Sequence, residues 1–247
     1  MKLPENPPNG IALFDMDGTL LAWDCQLLFR HHVLRAEPAR LFAVPLFIFF
    51  LPFAKLLGTE NMKRIFHCFL WKMPPERVTE LSREFATKLL PHIYPELKAA
   101  LAKHREAGHL TILSSASPQC YAAEVGKLLK FDISLGTIIE NDALFPDLVN
   151  HKGQNKVARL GKLLPSSYFH EGKLINSHGY TDSPADLPML GICNKATLVN
   201  PGEKLTAMSQ SNAWNILRPA LPWKSKLEKS WRILLLLFAL GENPAKL

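Results

Sequence analysis

The segment Ile11-Ala-Leu-Phe-Asp-Met-Asp-Gly-Thr-Leu-Leu21 constrains this chain more than any other. A short apolar run stops abruptly at two carboxylates, and Gly18 and Thr19 follow at once. This is the pattern of a short buried strand that delivers two acids to its carboxyl end. In an open parallel sheet, ligands bind beyond the carboxyl ends of the strands. Asp15 and Asp17 are separated by one residue, so an extended backbone points both the same way and they can converge on one cation. Gly18 lets the backbone approach a bound anion closely. Asp-Gly is also a common turn pair, so this segment alone fits a plain strand-to-turn junction as well.

Three later segments weigh against that plain reading. His109-Leu-Thr-Ile-Leu-Ser-Ser-Ala-Ser117 is a second apolar strand ending in hydroxyls ahead of Pro118, and a helical pattern follows from Gln119 to Leu129. Such a strand-to-helix junction presents backbone N–H groups to an anion. Gly153-Gln-Asn-Lys-Val-Ala-Arg-Leu160 places Lys156 at the start of a helix. Gly179-Tyr-Thr-Asp-Ser-Pro-Ala-Asp-Leu-Pro-Met-Leu190 sets Asp182 and Asp186 four residues apart in a proline-rich loop that opens into a short helix.

These four segments, in this order, resemble the haloacid dehalogenase superfamily of phosphatases. Within subfamily IB the chain is most similar to the branch of phosphoserine phosphatase and the membrane-associated phosphatidylglycerophosphatase C. The resemblance covers 10–21 and 95–201 and is looser between them. It implies an α/β fold, a Rossmann-like parallel sheet core with an inserted α-helical cap, and Mg²⁺-dependent hydrolysis of a phosphomonoester through an aspartyl-phosphate. A phosphomonoester is anionic and poorly electrophilic, so its nucleophile must be held in line while the surrounding charge is neutralised. By resemblance, Asp15 is that nucleophile, and Asp17 is the general acid and then the base, with its backbone carbonyl facing the metal. Asp15 and Asp182 are the implied direct ligands of Mg²⁺, with Asp186 beside them or one shell out. No thiolate or imidazole groups stand at metal spacing, which suits a hard cation with oxygen ligands.

The implied phosphate contacts are Ser115, Ala116, Lys156, Gly18 and Thr19. Ser114 competes with Ser115, and Lys152 with Lys156; the registers of Ser115-Ala-Ser-Pro118 and Gly153-Gln-Asn-Lys156 favour Ser115 and Lys156. Around Asp182, residues Tyr180, Thr181, Ser183 and Ala185 replace the small and amide residues of the phosphoserine phosphatase pattern. That departure leaves the carboxylate spacing intact and opens the question of small-substrate specificity. Asp24 lies where phosphoserine phosphatases carry an acid that reads the substrate amine, although an acid there also serves as a helix cap or a surface charge.

The expected organisation is a discontinuous catalytic core, 10–21 and 95–215, a helical cap over 22–94, and an apolar and basic tail over 216–247. Cys25, Cys68, Cys120 and Cys193 are scattered, which argues against a zinc site or disulfide framework and suits a reducing, cytoplasmic setting. The first ten residues carry no apolar run, so no signal peptide is expected there. A net charge of +7 raises a nucleic-acid reading, but the Lys and Arg residues form no dense cluster or known module; an anionic membrane surface suits the charge as well.

Leu41-Phe-Ala-Val-Pro-Leu-Phe-Ile-Phe-Phe-Leu-Pro-Phe-Ala54 carries no charge, and Lys55-Leu-Leu57 extends it. As a helix these fourteen residues rise about 21 Å, short of the ~30 Å hydrocarbon core. The segments before and after this run must meet in one site, so a single crossing is incompatible with the chemistry. That leaves a re-entrant or interfacial segment at the inner membrane face, or a buried cap helix. Arg30, His31, His32, Arg35 and Arg40 before it, and Lys55, Lys63 and Arg64 after it, are expected to face headgroups. A second run, 231–240, follows Lys224, Lys226 and Lys229, with Trp223 and Trp231 suited to an interface. The substrate expected on these grounds is a lipid phosphate such as phosphatidylglycerophosphate. The alternatives are a soluble small-metabolite phosphatase of phosphoserine phosphatase type and a non-catalytic membrane-binding scaffold.

Overall fold

The computed structural model describes residues 3–241. Strand β1 (Ile11–Phe14) leads into five helices, α1 (Cys25–Ala36), α2 (Ala43–Phe50), α3 (Ala54–Phe66), α4 (Pro75–Leu89) and α5 (Pro95–Glu106). Next come β2 (Leu110–Pro118), α6 (Gln119–Leu129), β3 (Ile133–Glu140), β4 (Asp147–Val149) and α7 (Gln154–Leu163). A small hairpin of β5 (Phe169–His170) and β6 (Lys173–Leu174) precedes β7 (Ser177–Thr181) and α8 (Leu187–Gly191). The chain then forms β8 (Lys195–Val199), α9 (Glu203–Asn212), β9 (Asn215–Leu217) and α10 (Lys226–Leu237).

Seven strands make one sheet in the order β4-β3-β2-β1-β7-β8-β9. Every neighbouring pair is parallel except β3 and β4. The parallel α/β core is therefore as expected, with one antiparallel edge that three residues, Asp147-Leu-Val149, were too short to announce. The chain steps outwards from β1 to β2 and β3, then returns to the far side of β1 as β7. Strand order reverses at β1, so the carboxyl ends of β1, β2 and β7 open on one crevice.

The four residues of β1 are fully buried because helices cover both faces of the sheet. Ala12 and Phe14 point into one apolar cluster, and Ile11 and Leu13 into another, as the period of two requires. The first cluster continues through Phe29, Phe69 and Phe85 to Tyr121 and Val125. The helical insert thus shares its core with one face of the sheet. Prolines in the first turn of α4 and α5 fit helix starts, where a missing N–H costs nothing.

Pro38–Leu70 is a helical stretch long and apolar enough to cross a membrane by length and composition. It is not straight. A 3₁₀ turn at Leu51–Phe53 separates α2 from α3, and Gly58, with φ of 75°, kinks α3. Phe47 of α2 meets Phe66 of α3 edge to face, so the two helices fold back on each other. Ala43 is the one buried residue of α2. Within the Pro38–Leu70 stretch Leu41, Phe42, Ile48, Phe49, Leu51, Phe53 and Leu56 are exposed, whereas Val44, Leu46 and Phe66 pack against the main core and Phe69 and Leu70 are buried in it.

The basic flanks differ from expectation. Arg30 is fully buried and donates to the carbonyls of Leu237 (2.7 Å) and Ala43 (3.3 Å), with its guanidinium over the Phe47 and Phe66 rings. His31 is buried against the Leu240 carbonyl, and His32 stacks on Phe85. Arg40 donates to the carbonyls of Phe69 and Trp71, and Arg64 pairs with Asp147. Helix ends and turns leave carbonyls without intrahelical partners, and these cations satisfy several of them. Of the flanking cations, Arg35 and Lys55 remain exposed.

Candidate active site

Strand β1 ends by handing Asp15 and Asp17 to the crevice. Asp15 still pairs with the sheet through its N–H, which donates to the Tyr180 carbonyl at 3.0 Å. The chain then turns on the Met16 carbonyl, which accepts from the N–H groups of Thr19 and Leu20. Gly18 takes φ of 76° in this turn, a value open to glycine at little cost. The close approach that Gly18 permits is to the carboxylate of Asp182.

Lys156, in the first turn of α7, is buried between two acids. Its Nζ lies 2.7 Å from Asp15 Oδ1 and 2.8 Å from Asp186 Oδ1. Burial alone would pull the ammonium pKa down, but the two carboxylates outweigh it and the net shift is upward. Asp186 accepts from Thr181 Oγ1 through its other oxygen, at 2.8 Å. Both of its oxygens are thereby engaged, which sets it behind Lys156.

Thr19 joins the loops after β1 and β7. Its hydroxyl accepts from the Asp182 N–H at 3.0 Å and lies 3.1 Å from Asp182 Oδ1 and 3.4 Å from Asp15 Oδ2. Burial and the neighbouring Asp15 push Asp182 up to about 7. Asp17 is also pushed up to about 7, by burial first and then by Asp24 and Asp15. Burial raises Asp15 too, with Lys156 opposing. The crevice holds more negative charge than its one buried ammonium balances.

Asp17 is held by two donors, the Cys25 N–H on Oδ1 (2.9 Å) and Ser117 Oγ on Oδ2 (2.6 Å). Ser117 receives the Tyr121 hydroxyl at 2.6 Å. The candidates left open by sequence occupy different places. Ser114 Oγ pairs with His151 Nε2 at 2.9 Å, whereas Ser115 Oγ accepts from the Ser117 N–H at 3.0 Å. Pairing between β2 and β3 breaks between Ser114 and Pro118, which frees this corner from the ladder. Lys152 is exposed on the rim, in contrast to buried Lys156.

A cavity of about 430 Å³ opens where α2, α3 and α10 face Ala116 and the loop before α7. Asp24, Lys63, Asn150 and Lys152 supply polar groups to it; Phe47, Leu51, Phe66 and Leu237 supply apolar ones. Asp24 is the N-cap of α1, accepting from the Gln26 and Leu27 N–H groups on Oδ1. Lys63 is a participant that sequence reasoning set on the surface. Its Nζ donates to the Ala116 carbonyl (2.6 Å), Asn150 Oδ1 (2.8 Å) and Thr137 Oγ1 (3.0 Å). Burial lowers its pKa to about 8. Nothing in the helical sequence around Lys63 marks this role, because its partners lie far away in the chain. His151 also went unmarked.

Among the described residues, no group of three or more His, Cys, Asp or Glu side chains is arranged as a complete metal cage. Mg²⁺ needs none, because it is held by one or two carboxylates together with substrate phosphate and water. The all-oxygen donor set fits such a cation: Lys156 reaches Asp15 and Asp186, while Asp182 lies against Asp15 with no ammonium of its own.

Residues 12–191 match the haloacid dehalogenase-like hydrolase family. The chain belongs to that family. It is 28% identical to a histidinol-phosphatase of Neisseria meningitidis over 152 residues, 58% of this chain and 67% of that one. It is 24% identical to the phosphoserine phosphatase SerB1 of Mycobacterium tuberculosis over 219 residues, 83% of this chain and 69% of that one. A Bordetella pertussis protein of unknown function shares the fold with a TM-score of 0.71 at 21% identity, covering 84% of this chain and 97% of its own.

Proposed function

We propose that this hydrolase is a phosphomonoesterase that works through an aspartyl-phosphate on Asp15 with Mg²⁺ bound. The observation that carries the reading is Lys156 between Asp15 and Asp186, beside two further acids whose charge it does not balance. A dianionic phosphate needs positive charge at its oxygens and a carboxylate at its phosphorus, and this crevice is arranged to offer both. Asp15, Asp182 and the Asp17 carbonyl would hold Mg²⁺, which would supply positive charge to the phosphoryl oxygens.

In the first half-reaction an Asp15 oxygen forms a bond to phosphorus as the bond to the leaving oxygen breaks, and Asp17 gives that oxygen its proton. In the second, Asp17 takes a proton from water as the water oxygen attacks phosphorus and Asp15 is released. The Cys25 N–H and Ser117 hydroxyl hold the Asp17 carboxylate in one orientation for both transfers. Lys156 neutralises the phosphoryl oxygens, and the family resemblance assigns Ser115 and the Ala116 backbone to the same anion.

For the substrate, the names of the relatives favour a small phosphomonoester of the phosphoserine type, including one that carries an amine. Asp24 supports that reading, since one of its oxygens is not spent on capping α1 and the residue lines the cavity. A specific observation favours a second substrate. The cavity wall of Phe47, Leu51, Phe66 and Leu237 suits an apolar tail, as in phosphatidylglycerophosphate presented at the inner face of a membrane. Phosphate release from phosphoserine and from phosphatidylglycerophosphate in mixed micelles, with Mg²⁺ and with Asp15→Asn as control, separates the two. Equal release by Asp15→Asn and the unaltered protein would remove the covalent mechanism.

A further inference from the structure

α10 carries an apolar stripe that the protein itself leaves uncovered. Leu227, Trp231, Leu234 and Phe238 follow one another at spacings of four, three and four, so they lie along one side of the helix. All four are exposed, Leu227 at 81% and Trp231 at 60%. The opposite side of the helix is satisfied, with Leu236 and Ala239 buried in the main core. A solvated surface helix has no reason to place its apolar side chains on its outer face as well as its inner one.

The second uncovered set lies in the insert. Ile48, Phe49, Leu51, Phe53 and Leu56 are exposed, Leu56 at 86%. The tertiary structure makes these two sets neighbours. Arg30 ties the end of α10 to the start of α2 by donating to Leu237 and Ala43 together. Leu237 and Leu51 also line the same cavity mouth. The exposed cations beside the two sets are Lys55 in the insert and Lys224, Lys226 and Lys229 around the start of α10. No acid lies within 38–57, and Glu228, the one acid of 221–240, is held by Arg232 and the Lys224 N–H.

We propose that the α2–α3 hairpin and the outer stripe of α10 together form a docking face for an anionic lipid bilayer. The face is interfacial, with Phe49, Leu56, Leu227 and Trp231 entering the acyl boundary and the lysines meeting headgroups. Neither element crosses. α10 is twelve residues long and the hairpin folds back on itself. Charge favours this occupant over a second copy of the chain, because a symmetric pair would set Lys55, Lys224, Lys226 and Lys229 against their own copies, and the exposed acid of the hairpin, Glu60, is outnumbered by them. The cavity mouth lies between the two halves of the face, so docking brings it to the lipid surface. That orientation rests on the phosphomonoesterase reading, whereas lipid binding does not.

The test is co-sedimentation of the full chain with phosphatidylcholine vesicles containing phosphatidylglycerol, against vesicles of phosphatidylcholine alone. Binding is expected to the anionic vesicles. Phe49→Ser with Leu56→Ser, and separately Leu227→Ser with Trp231→Ser, are each expected to weaken it by roughly tenfold or more. Lys224→Glu, Lys226→Glu and Lys229→Glu are expected to cost about fivefold each and to remove the preference for anionic lipid. All of these sites are exposed, and an unchanged circular-dichroism melt checks that each variant folds. Asp15→Asn is expected to bind vesicles like the unaltered protein, so failure of the catalytic reading leaves this result standing. Absence of binding, binding that ignores all of these substitutions, or a lipid-free dimer that the same substitutions dissociate would each overturn the proposal.

Discussion

Gly18 and Asp182 occupy adjoining space with no room for a side chain between them: a Cβ at Gly18 would lie 2.5 Å from Asp182 Cγ. The loop after β1 and the loop after β7 close on each other at that point, and Thr19 bonds across the same seam. Gly18→Ala meets both this overlap and the φ of 76°. It is expected to lower stability by about 1–3 kcal/mol. Displacing Asp182 should reduce phosphate release by about a hundredfold. Thermal unfolding and steady-state kinetics check the two effects, and an alanine variant with ordinary turnover would mean that Asp182 need not sit where it does.

Lys156→Met leaves Asp15 and Asp186 facing each other without their shared cation. Breaking a buried ion pair on one side costs about 3–5 kcal/mol. Adding Asp186→Asn to Lys156→Met should return part of the stability and none of the activity. Urea unfolding of the single and double variants measures this, and full recovery of turnover in the double variant would contradict the role given to Lys156.

Mg²⁺ is expected to stabilise the folded chain, by about 2.7 kcal/mol at a hundredfold excess over its dissociation constant. Asp182→Asn should abolish the stabilisation. Without metal the sign reverses: the asparagine variant should be the more stable protein at neutral pH, because a carboxylate penalised by burial and then by Asp15 has been removed. Melting curves with Mg²⁺ and with a chelator, for both proteins, contain the full comparison.

Five histidines are held neutral chiefly by burial. His32, His104 and His178 are lowered to about 4, and His67 and His151 to about 3. Each binds a proton more readily in the unfolded chain, at its ordinary value of 6.5, so stability is full above that pH. The histidine contribution is expected to fall as pH drops from 6.5 towards 4, opposed in the metal-free chain by Asp15, Asp17 and Asp182, whose raised carboxyls bind protons more readily in the folded state. Denaturant unfolding across that window tests it, and His67→Gln, at a fully buried site, should flatten part of the slope.

Lys63→Met cuts the threefold attachment of α3 to Ala116, Thr137 and Asn150. The Thr137 hydroxyl still reaches the Ala116 carbonyl at 2.7 Å, so the corner is loosened without being lost. KM is expected to rise by roughly tenfold, with a smaller fall in kcat, because the insert wall of the cavity loses its hold on the core. A change in kcat alone would place Lys63 in the chemistry instead.

The strand-to-turn junctions were legible from sequence because they are local. An apolar run of four residues that ends in Asp15 is its own signal, and so is Lys156 three residues into a helix. α6 spans Gln119–Leu129 as its helical pattern indicated. The cations were not legible in this way. Arg30, Arg40 and Lys63 read as a basic flank along the chain, yet each is spent on carbonyls supplied by distant segments. A charge in a sequence has no stated partner, and burial is decided by what folds over it.

The sequence by itself determined the parallel α/β core, the order of the four loops at its carboxyl edge, and the residue types those loops carry. These follow from short-range hydrophobic pattern and turn chemistry, which a dozen residues can encode. Only the tertiary structure decided which serine of Ser114 and Ser115 pairs with His151, that Lys156 bridges two acids while Lys152 stays at the rim, and that the end of α10 lies against the α2–α3 hairpin. Each of these is a meeting of groups far apart in the chain, set by packing over the whole core.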